Sequence, residues 1–202
     1  RREAQLLSPE ERATRLEAFA ERYRSLDIAA EALHDAGAEW RAAGRPDRAA
    51  RALGALLTEH PLYARAVEAK YLLALVDLDL GRPRDALATM GTVYPKLPDG
   101  TKPEAAARAA DAALAVGADA DAVRWLAELA RVAPPDQRRA VLRRAADAVD
   151  RLPFLDVAKL REELPSDSPV QEPLAMKLAR IQLHLADYPR AFILVTHDRR
   201  LL

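Results

Sequence analysis

Histidine and aspartate are the first residues of this sequence that could do chemistry, because together they can hold a divalent metal ion. The chain has four histidines, and His34 and His197 are each followed directly by an aspartate. A catalytic metal ion usually takes three protein ligands, yet no histidine precedes His34 in the chain. The pair of His34 and Asp35 therefore leaves a metal-dependent hydrolase as an alternative, and a histidine on the protein surface is the simpler interpretation.

Two stretches around these pairs resemble motifs of known enzymes. ALHDAGAEW resembles the His-Asp motif of the all-α metal phosphohydrolases, in which His34 and Asp35 would hold a divalent ion together with a further His and Asp on facing helices. FILVTHDRRLL resembles the switch-histidine strand of ATP-binding-cassette ATPases, but the chain lacks the GxxxxGK[ST] loop that cradles phosphates. It also has no GxSxG motif and no cysteine, which excludes thiolate chemistry and disulfides. We therefore predict a protein that is not an enzyme, with no catalytic residue, no metal and no cofactor.

Four arginines form a basic cluster that could receive an acidic segment of a partner. They are Arg138, Arg139, Arg143 and Arg144. Three aspartates lie nearby in sequence, at positions 136, 147 and 150. Because exposed charges of both signs usually form a solvated surface, we favour a mixed-charge face over an acidic-partner site.

The composition excludes several classes of function. Lys plus Arg and Asp plus Glu are equal at 31 each, so no strong field attracts nucleic acid or an anionic membrane. Half of the residues are apolar but only 5% are aromatic, which favours an all-α fold with small residues between helices. No apolar run reaches the roughly 20 residues that span a bilayer, so we predict no membrane insertion. Since the chain begins with Arg1, we expect a trimmed fragment, and the lack of a signal peptide leaves the compartment open.

A phrase of eighteen residues occurs three times, starting at Gly44, Gly81 and Gly117. The copies read GRPDRAARALGALLTEHP, GRPRDALATMGTVYPKLP and GADADAVRWLAELARVAP. Alanine is sixth, large apolar residues follow four and seven places later, and proline is last, which is one face of an α-helix. We therefore predict a left-handed glycine turn, then a helix of about 12 to 14 residues, which the last proline ends.

Another helical stretch precedes each glycine, with a small residue seven places before it, at Gly37, Ala74 and Ala110. Small side chains let two helices cross closely, so each unit is predicted to be an antiparallel helical hairpin. The copies are 37 and 36 residues apart, and one such hairpin buries its apolar face only when neighbours stack on it.

The remaining elements complete one predicted repeat domain over residues 1–202. Its parts are a capping helix at 8–24, repeats near 30–61, 67–98 and 103–134, an irregular helix pair at 135–165 and a partial repeat at 172–202. In the partial repeat, Ala186 takes the place of the turn glycine and Ala191 that of the repeated alanine. Register favours a helix for residues 192–202, whereas the β-branched run from Phe192 to Thr196 favours a strand.

The hairpins resemble tetratricopeptide repeats. The family pattern of small residue, aromatic, turn glycine, alanine, large apolar residue and proline matches Gly37, Trp40, Gly44, Ala49, Leu53 and Pro61. Later copies depart from the pattern, with Asp77 and Ala113 at the aromatic position. The resemblance implies an all-α, right-handed superhelical stack of antiparallel helix hairpins, which is a TPR-like α-solenoid.

By the same resemblance, the protein is a non-catalytic protein–protein interaction scaffold that binds a peptide or partner protein on its concave face. The implied lining residues are Glu31, His34, Arg41, Glu68, Tyr71, Leu75, Leu78, Glu104, Asp111, Leu114, Met176, Arg180 and Leu183. Each of them could instead pack against a neighbouring hairpin. The acidic and apolar lining, in a chain without asparagine, suits a mixed apolar or basic segment better than an acidic C-terminal tail.

The period of 36 to 37 residues and the stretch LPSDSPVQEPLAMKLARIQLHLADYPRA resemble the repeats of bacterial envelope lipoproteins. The likeness is greatest to the N-terminal helical region of penicillin-binding-protein activator lipoproteins. It implies a periplasmic adaptor that holds envelope enzymes together, while a cytoplasmic location stays open. The sequence predicts a protein partner rather than nucleic acid, and leaves its identity and the oligomeric state open.

Overall fold

The computed structural model of the protein describes residues 7–186, and within them it contains ten α-helices, one short 3-10 helix and no strand. The helices are α1 (Pro9–Arg22), α2 (Asp27–Ala42), α3 (Pro46–Glu59), α4 (Ala66–Asp79), α5 (Pro83–Val93), α6 (Lys102–Ala115), α7 (Asp119–Val132), α8 (Pro135–Arg151), α9 (Phe154–Glu163) and α10 (Gln171–Ala186). Helices packed on their neighbours in sequence confirm the predicted α-solenoid class.

The chain divides into two compact units between Ala105 and Ala106, inside α6. In unit 1, α1 to α5 pack one on the next in chain order. In unit 2, α7 packs on α8, and α10 packs on both α9 and α8. The single repeat domain over residues 1–202 stays a prediction.

The three turn glycines end their helices in the same way. Gly44, Gly81 and Gly117 have φ angles of 69°, 70° and 70°, in the left-handed region that only glycine adopts without strain. In the first turn, Arg45 N–H donates to the Trp40 carbonyl and Gly44 N–H to the Arg41 carbonyl. This pair of bonds is a Schellman motif, and the equivalent pairs recur at the other two glycines. The predicted turn is confirmed in all three copies.

The repeated apolar positions lie in the core, as their helical spacing predicts. Ala49, Ala86 and Ala122 are fully buried. Gly37 shows why a small residue is needed before the turn, because an added Cβ would lie 2.6 Å from Leu53 Cγ. Helices α2 and α3 therefore cross closely at this point.

The second copy of the phrase departs from the predicted helix length. Helix α5 ends at Val93 after 11 residues, and a 3-10 helix follows over Tyr94–Lys96. Pro95 explains the early end, since it has no N–H to continue the α-helical bonding. The proline that closes the phrase, Pro98, is therefore not what ends α5.

Side-chain hydrogen bonds stabilise the start of α1 and the loop after α9. Ser8 and Glu11 form the predicted capping box at the start of α1, with Ser8 N–H donating to Glu11 Oε2 over 2.8 Å. The hydrogen bond to Ser8 lowers the pKa of Glu11. Near the other end of the described chain, the Gln171 side-chain amide donates to the carbonyls of Leu164 and Pro165, just past α9. The predictions for Ala191 and for residues 192–202 lie outside the described residues.

Among the described residues, no helix has both the length and the apolar character that crossing a membrane requires.

Candidate partner-binding surface

The predicted lining residues lie on α2 and α4 in unit 1, on α6, which spans the boundary between the units, and on α10 in unit 2. Together with α8, these are the first helices of the predicted hairpins. We call the side chains on these helices the first-helix surface and describe it in each unit separately.

In unit 1, both predicted acidic residues contact one arginine. Glu31 Oε2 accepts hydrogen bonds from Tyr63 Oη at 2.8 Å and from Arg65 Nη1 at 3.2 Å. Glu68 Oε2 accepts one from Arg65 Nε at 2.7 Å. Burial and the hydrogen bond to Glu31 raise the pKa of Tyr63. The carboxylates of unit 1 are therefore already compensated by a cation of the same unit.

The other predicted positions of unit 1 differ in exposure. Arg41 bridges the two first helices, with its Nε 2.6 Å from Asp79 Oδ2. Tyr71 and Leu75 are buried, at 8% and 6% exposure, and Leu78 is half-buried. Arg41 and Leu78 thus remain accessible in part, whereas the side chains of Tyr71 and Leu75 lie within the packed structure.

His34 was expected on the surface, and this interpretation is wrong. It is 7% exposed, its Nδ1 lies 3.5 Å from Asp35 Oδ1, and its ring centroid lies 6.0 Å from that of Tyr63. The buried Ala29, Ala30, Ala32 and Ala36 of the same helix show why: α2 packs against both of its neighbours and leaves little of its surface to water. Over residues 7–186, no group of three or more His, Asp and Glu side chains is arranged to hold a metal ion.

In unit 2, ion pairs again connect first helices. Arg144 on α8 donates to Asp111 on α6, and Arg180 on α10 donates to Asp150 on α8 over 2.6 Å. Lys177 Nζ also donates to the Asp150 carbonyl at 2.9 Å. Leu114 is half-buried, and Glu104, which lies on the unit 1 side of the boundary in α6, is exposed. Helices α8 and α10 are therefore fixed side by side at their C-terminal halves.

A largely apolar cleft lies between α8 and α10, and we call it the unit 2 cleft. It has a volume of about 190 Å³. Its lining consists of Leu142, Ala146, Asp150, Pro169, Glu172, Pro173, Met176 and Arg180. Met176 is 59% exposed although it is a large apolar side chain, and Leu183, two turns further on, is 67% exposed. Two of the predicted lining residues, Met176 and Arg180, are thus brought together at one opening.

The four arginines of the basic cluster separate into two kinds. Arg144 pairs with Asp111, and Arg138 donates to the Ala133 carbonyl at 3.4 Å. Arg139 and Arg143 are exposed and make no ion pair or hydrogen bond with any residue between 7 and 186. The sequence did not predict these two arginines as lining residues, although their spacing of four residues indicates that they share one side of α8.

No protein-family model matches this chain, and no curated protein matches it. Two solved structures are similar to it, both of a Podosopora anserina protein that is named as a kinesin light chain with nearly identical TPR-like repeats. One of the two is a single-residue variant. Each is 17% identical to this chain with a TM-score of 0.45, and each alignment covers 90% of this chain and 94% or 95% of the other. The helix pairs described above, rather than this likeness, define the class as an α-solenoid.

Proposed function

We propose that this protein is a non-catalytic interaction scaffold that binds a segment of a partner protein on its first-helix surface. The observation that carries the proposal is the unit 2 cleft, an apolar opening with a solvent-exposed methionine at its edge. Exposed apolar side chains beside a concave opening mark sites where another molecule is bound.

The unit 2 cleft is also held in shape, which supports binding. The Arg180–Asp150 ion pair and the bond from Lys177 to the Asp150 carbonyl join its two walls. Leu174 and Leu178, on the inner side of α10, are buried. A site that is formed before binding loses less conformational freedom when a partner arrives, so more of the contact energy contributes to affinity.

The residues predicted from the repeat resemblance take different parts in this proposal. Met176 contacts the partner at the unit 2 cleft, with Leu183 beyond it, and Arg180 joins the two walls of the cleft through its ion pair with Asp150. In unit 1, Glu31, Glu68 and Arg41 act mainly to hold helices together, since each has an oppositely charged neighbour. The burial of Tyr71, Leu75 and His34 is more consistent with packing than with partner contact.

The setting of this scaffold in the bacterial envelope, as a periplasmic adaptor of the lipoprotein type, is a hypothesis that rests on the sequence resemblance alone. Fractionation of the cells that make the protein tests it. Recovery with the periplasm or the membranes is expected, and recovery only in the cytoplasm would contradict it.

Two matched variants test the interaction function. Peptides selected from a random display library on the full chain serve as probes, and their affinity is measured by fluorescence anisotropy. Met176→Asp, which puts a charge at the cleft, should weaken the selected peptides by about tenfold or more. Leu155→Asp is the control, because Leu155 is exposed to 72% but lies on the second helix α9, and it should change affinity by less than about twofold. If the two variants behave alike, or if only Leu155→Asp weakens binding, the proposed surface is wrong.

A further inference from the structure

Two arginines of α8 stand out from the other arginines of that helix. Arg144 and Arg151 are paired, with Asp111 and Asp119 respectively. Arg139 and Arg143 are exposed, and no carboxylate among residues 7–186 pairs with them. Two like charges one turn apart on a helix repel each other slightly, so their position next to each other does not by itself stabilise the helix.

These two arginines lie beside the unit 2 cleft. Leu142 and Ala146, which line the cleft, are also one turn apart on α8; Leu142 lies three residues after Arg139, and Ala146 lies three residues after Arg143. Residues three and four apart share one side of a helix, so both arginines lie on the side of α8 that lines the opening. An apolar pocket and two adjacent unpaired cations therefore form one surface.

We propose that the unit 2 cleft binds a segment of a partner protein that carries an apolar side chain and, about one helical turn from it, acidic side chains. The apolar side chain occupies the cleft against Leu142, Ala146 and Met176, and the carboxylates pair with Arg139 and Arg143. Arginine suits this role, because its planar guanidinium binds a carboxylate through two parallel hydrogen bonds. This inference rests on the proposed function and adds the chemistry of the partner to it.

Two carboxylates near the opening, those of Asp147 and Glu172, would attract a basic segment instead. Asp147 lies one turn after Arg143 and one turn before Arg151. The hydrogen bond to Asp119 is the main reason that the pKa of Arg151 is raised, and Asp147 adds a smaller contribution, so the charge of Asp147 is shared within α8. Glu172 lines the cleft from α10, on the wall opposite the arginines. A partner with basic side chains would contact Glu172 instead. Because two unpaired cations stand together on one wall and Glu172 is alone on the other, the charges favour an acidic segment over the basic one that the sequence indicated.

Peptides that bind the full chain are selected from a random display library and then synthesised. Their affinity is measured for four proteins. The first two are the wild type and Arg139→Glu/Arg143→Glu. The third is Lys159→Glu/Arg161→Glu, which makes the same change of net charge on α9, and the fourth is Glu172→Lys. Far-ultraviolet circular dichroism checks that each variant is folded. All affinities are measured at low and at high salt.

The proposal predicts selected peptides rich in Leu, Phe or Met with Asp or Glu nearby. Their affinity should fall by about tenfold or more in Arg139→Glu/Arg143→Glu, and by less than about twofold in the α9 control. Raised salt should weaken their binding to the wild type, because exposed ion pairs are screened.

Three results would overturn the proposal. Peptides that bind Arg139→Glu/Arg143→Glu as tightly as wild type show that the arginines take no part. Basic peptides that are lost in Glu172→Lys show that the other wall selects the partner. In both cases the interaction function stands and only the partner chemistry is wrong, whereas a library that yields no binding peptide contradicts the proposed function as well.

Discussion

The two units share one turn but present different surfaces. Both contain the left-handed glycine turn, at Gly44 and Gly81 in unit 1 and at Gly117 in unit 2. A cleft of unit 1, about 210 Å³ in volume, has charged groups around it, including Glu17, Glu21, Arg24, Arg51 and Glu59. The cleft of unit 2 is mainly apolar. The repeated residues thus specify the hairpin, and the variable residues between them decide what each unit can bind.

Two arginines of unit 1 form ion pairs between helices or across a loop of the same unit. Arg24 donates two hydrogen bonds to the Glu59 carboxylate, at 2.8 and 2.6 Å, and Arg12 does the same to Glu39 at 2.8 and 2.6 Å. These bonds lower the pKa of both glutamates. The stability they contribute is present above the ordinary value of 4.5 and is lost as the pH falls below it. In unit 2, Arg139 and Arg143 make no ion pair with a residue between 106 and 186.

The largest expected effect on stability tests whether the helices of unit 1 cross more closely than those of unit 2. Gly37→Ala should lower the free energy of unfolding by about 1–3 kcal/mol, because the new Cβ would overlap Leu53. In unit 2 the same position is Ala110, which already carries a fully buried Cβ, so Ala110→Gly should cost about 1–2 kcal/mol through helix propensity and the lost burial of the methyl group. Urea unfolding followed by Trp40 fluorescence for unit 1, and by Trp125 fluorescence for unit 2, measures both.

Gly54→Ala is the control for this prediction. Gly54 lies in α3 with no atom within 4 Å of an added Cβ, so alanine there should raise the free energy of unfolding by about 0.5–1 kcal/mol. A destabilisation at Gly54 as large as that at Gly37 would show that the close crossing is not the cause.

The next effect tests whether the turn is the same in both units. Gly81→Ala and Gly117→Ala should each cost about 1 kcal/mol, because both glycines have φ of 70° and neither has a neighbour within 4 Å of an added Cβ. The two losses, measured by urea unfolding, should agree within about 0.5 kcal/mol. Gly91→Ala, in α5 with ordinary helical backbone, should not destabilise. If only one of the two variants lost stability, the glycine turn would not have the same role in both units.

The smallest effect concerns Asp77, which replaces in unit 1 the aromatic residue of the repeat pattern. Burial, with a lesser contribution from Asp85, raises its pKa. The folded state therefore holds this proton more tightly than the unfolded state does, and the ionised form lowers stability as the pH rises above 3.8. Asp77→Asn should raise the free energy of unfolding by at most about 1 kcal/mol at pH 7, and the gain should disappear as the pH falls toward 3.8.

Asp99→Asn is the matched control for Asp77→Asn. The hydrogen bond from Lys102 lowers the pKa of Asp99, so its removal should destabilise slightly at pH 7 and not at acid pH. If both variants changed the free energy of unfolding in the same direction across the pH range, burial would not be the cause of the raised pKa of Asp77.

Local sequence patterns predicted the turns and helix starts well, because these depend on residues close together in the chain. The left-handed glycines, the Ser8–Glu11 capping box and the buried alanines at positions 49, 86 and 122 are of this kind. The sequence pattern predicted that the last proline of the phrase, Pro98, ends this helix. Helix α5 ends earlier, at Val93, because of Pro95.

What the sequence did not reveal depends on contacts between distant residues. Arg12 and Glu39 are 27 positions apart, and Arg124 and Glu163 are 39 apart, so their pairing follows only from the packed helices. The burial of His34 has the same origin, because Tyr63, in the loop between α3 and α4, lies near its ring. The unit 2 cleft joins residues 142–150 with residues 169–180, and neither stretch predicts an opening alone.

The central claim is that the first-helix surface of unit 2, rather than the charged cleft of unit 1, receives a partner segment. Amide hydrogen exchange on the full chain, with and without a selected peptide, tests this most directly. We expect slower exchange in α8 and in the first half of α10 when the peptide is bound, with α3 unchanged. Slower exchange confined to α1 and α3, or to the second helices α7 and α9, would contradict the claim.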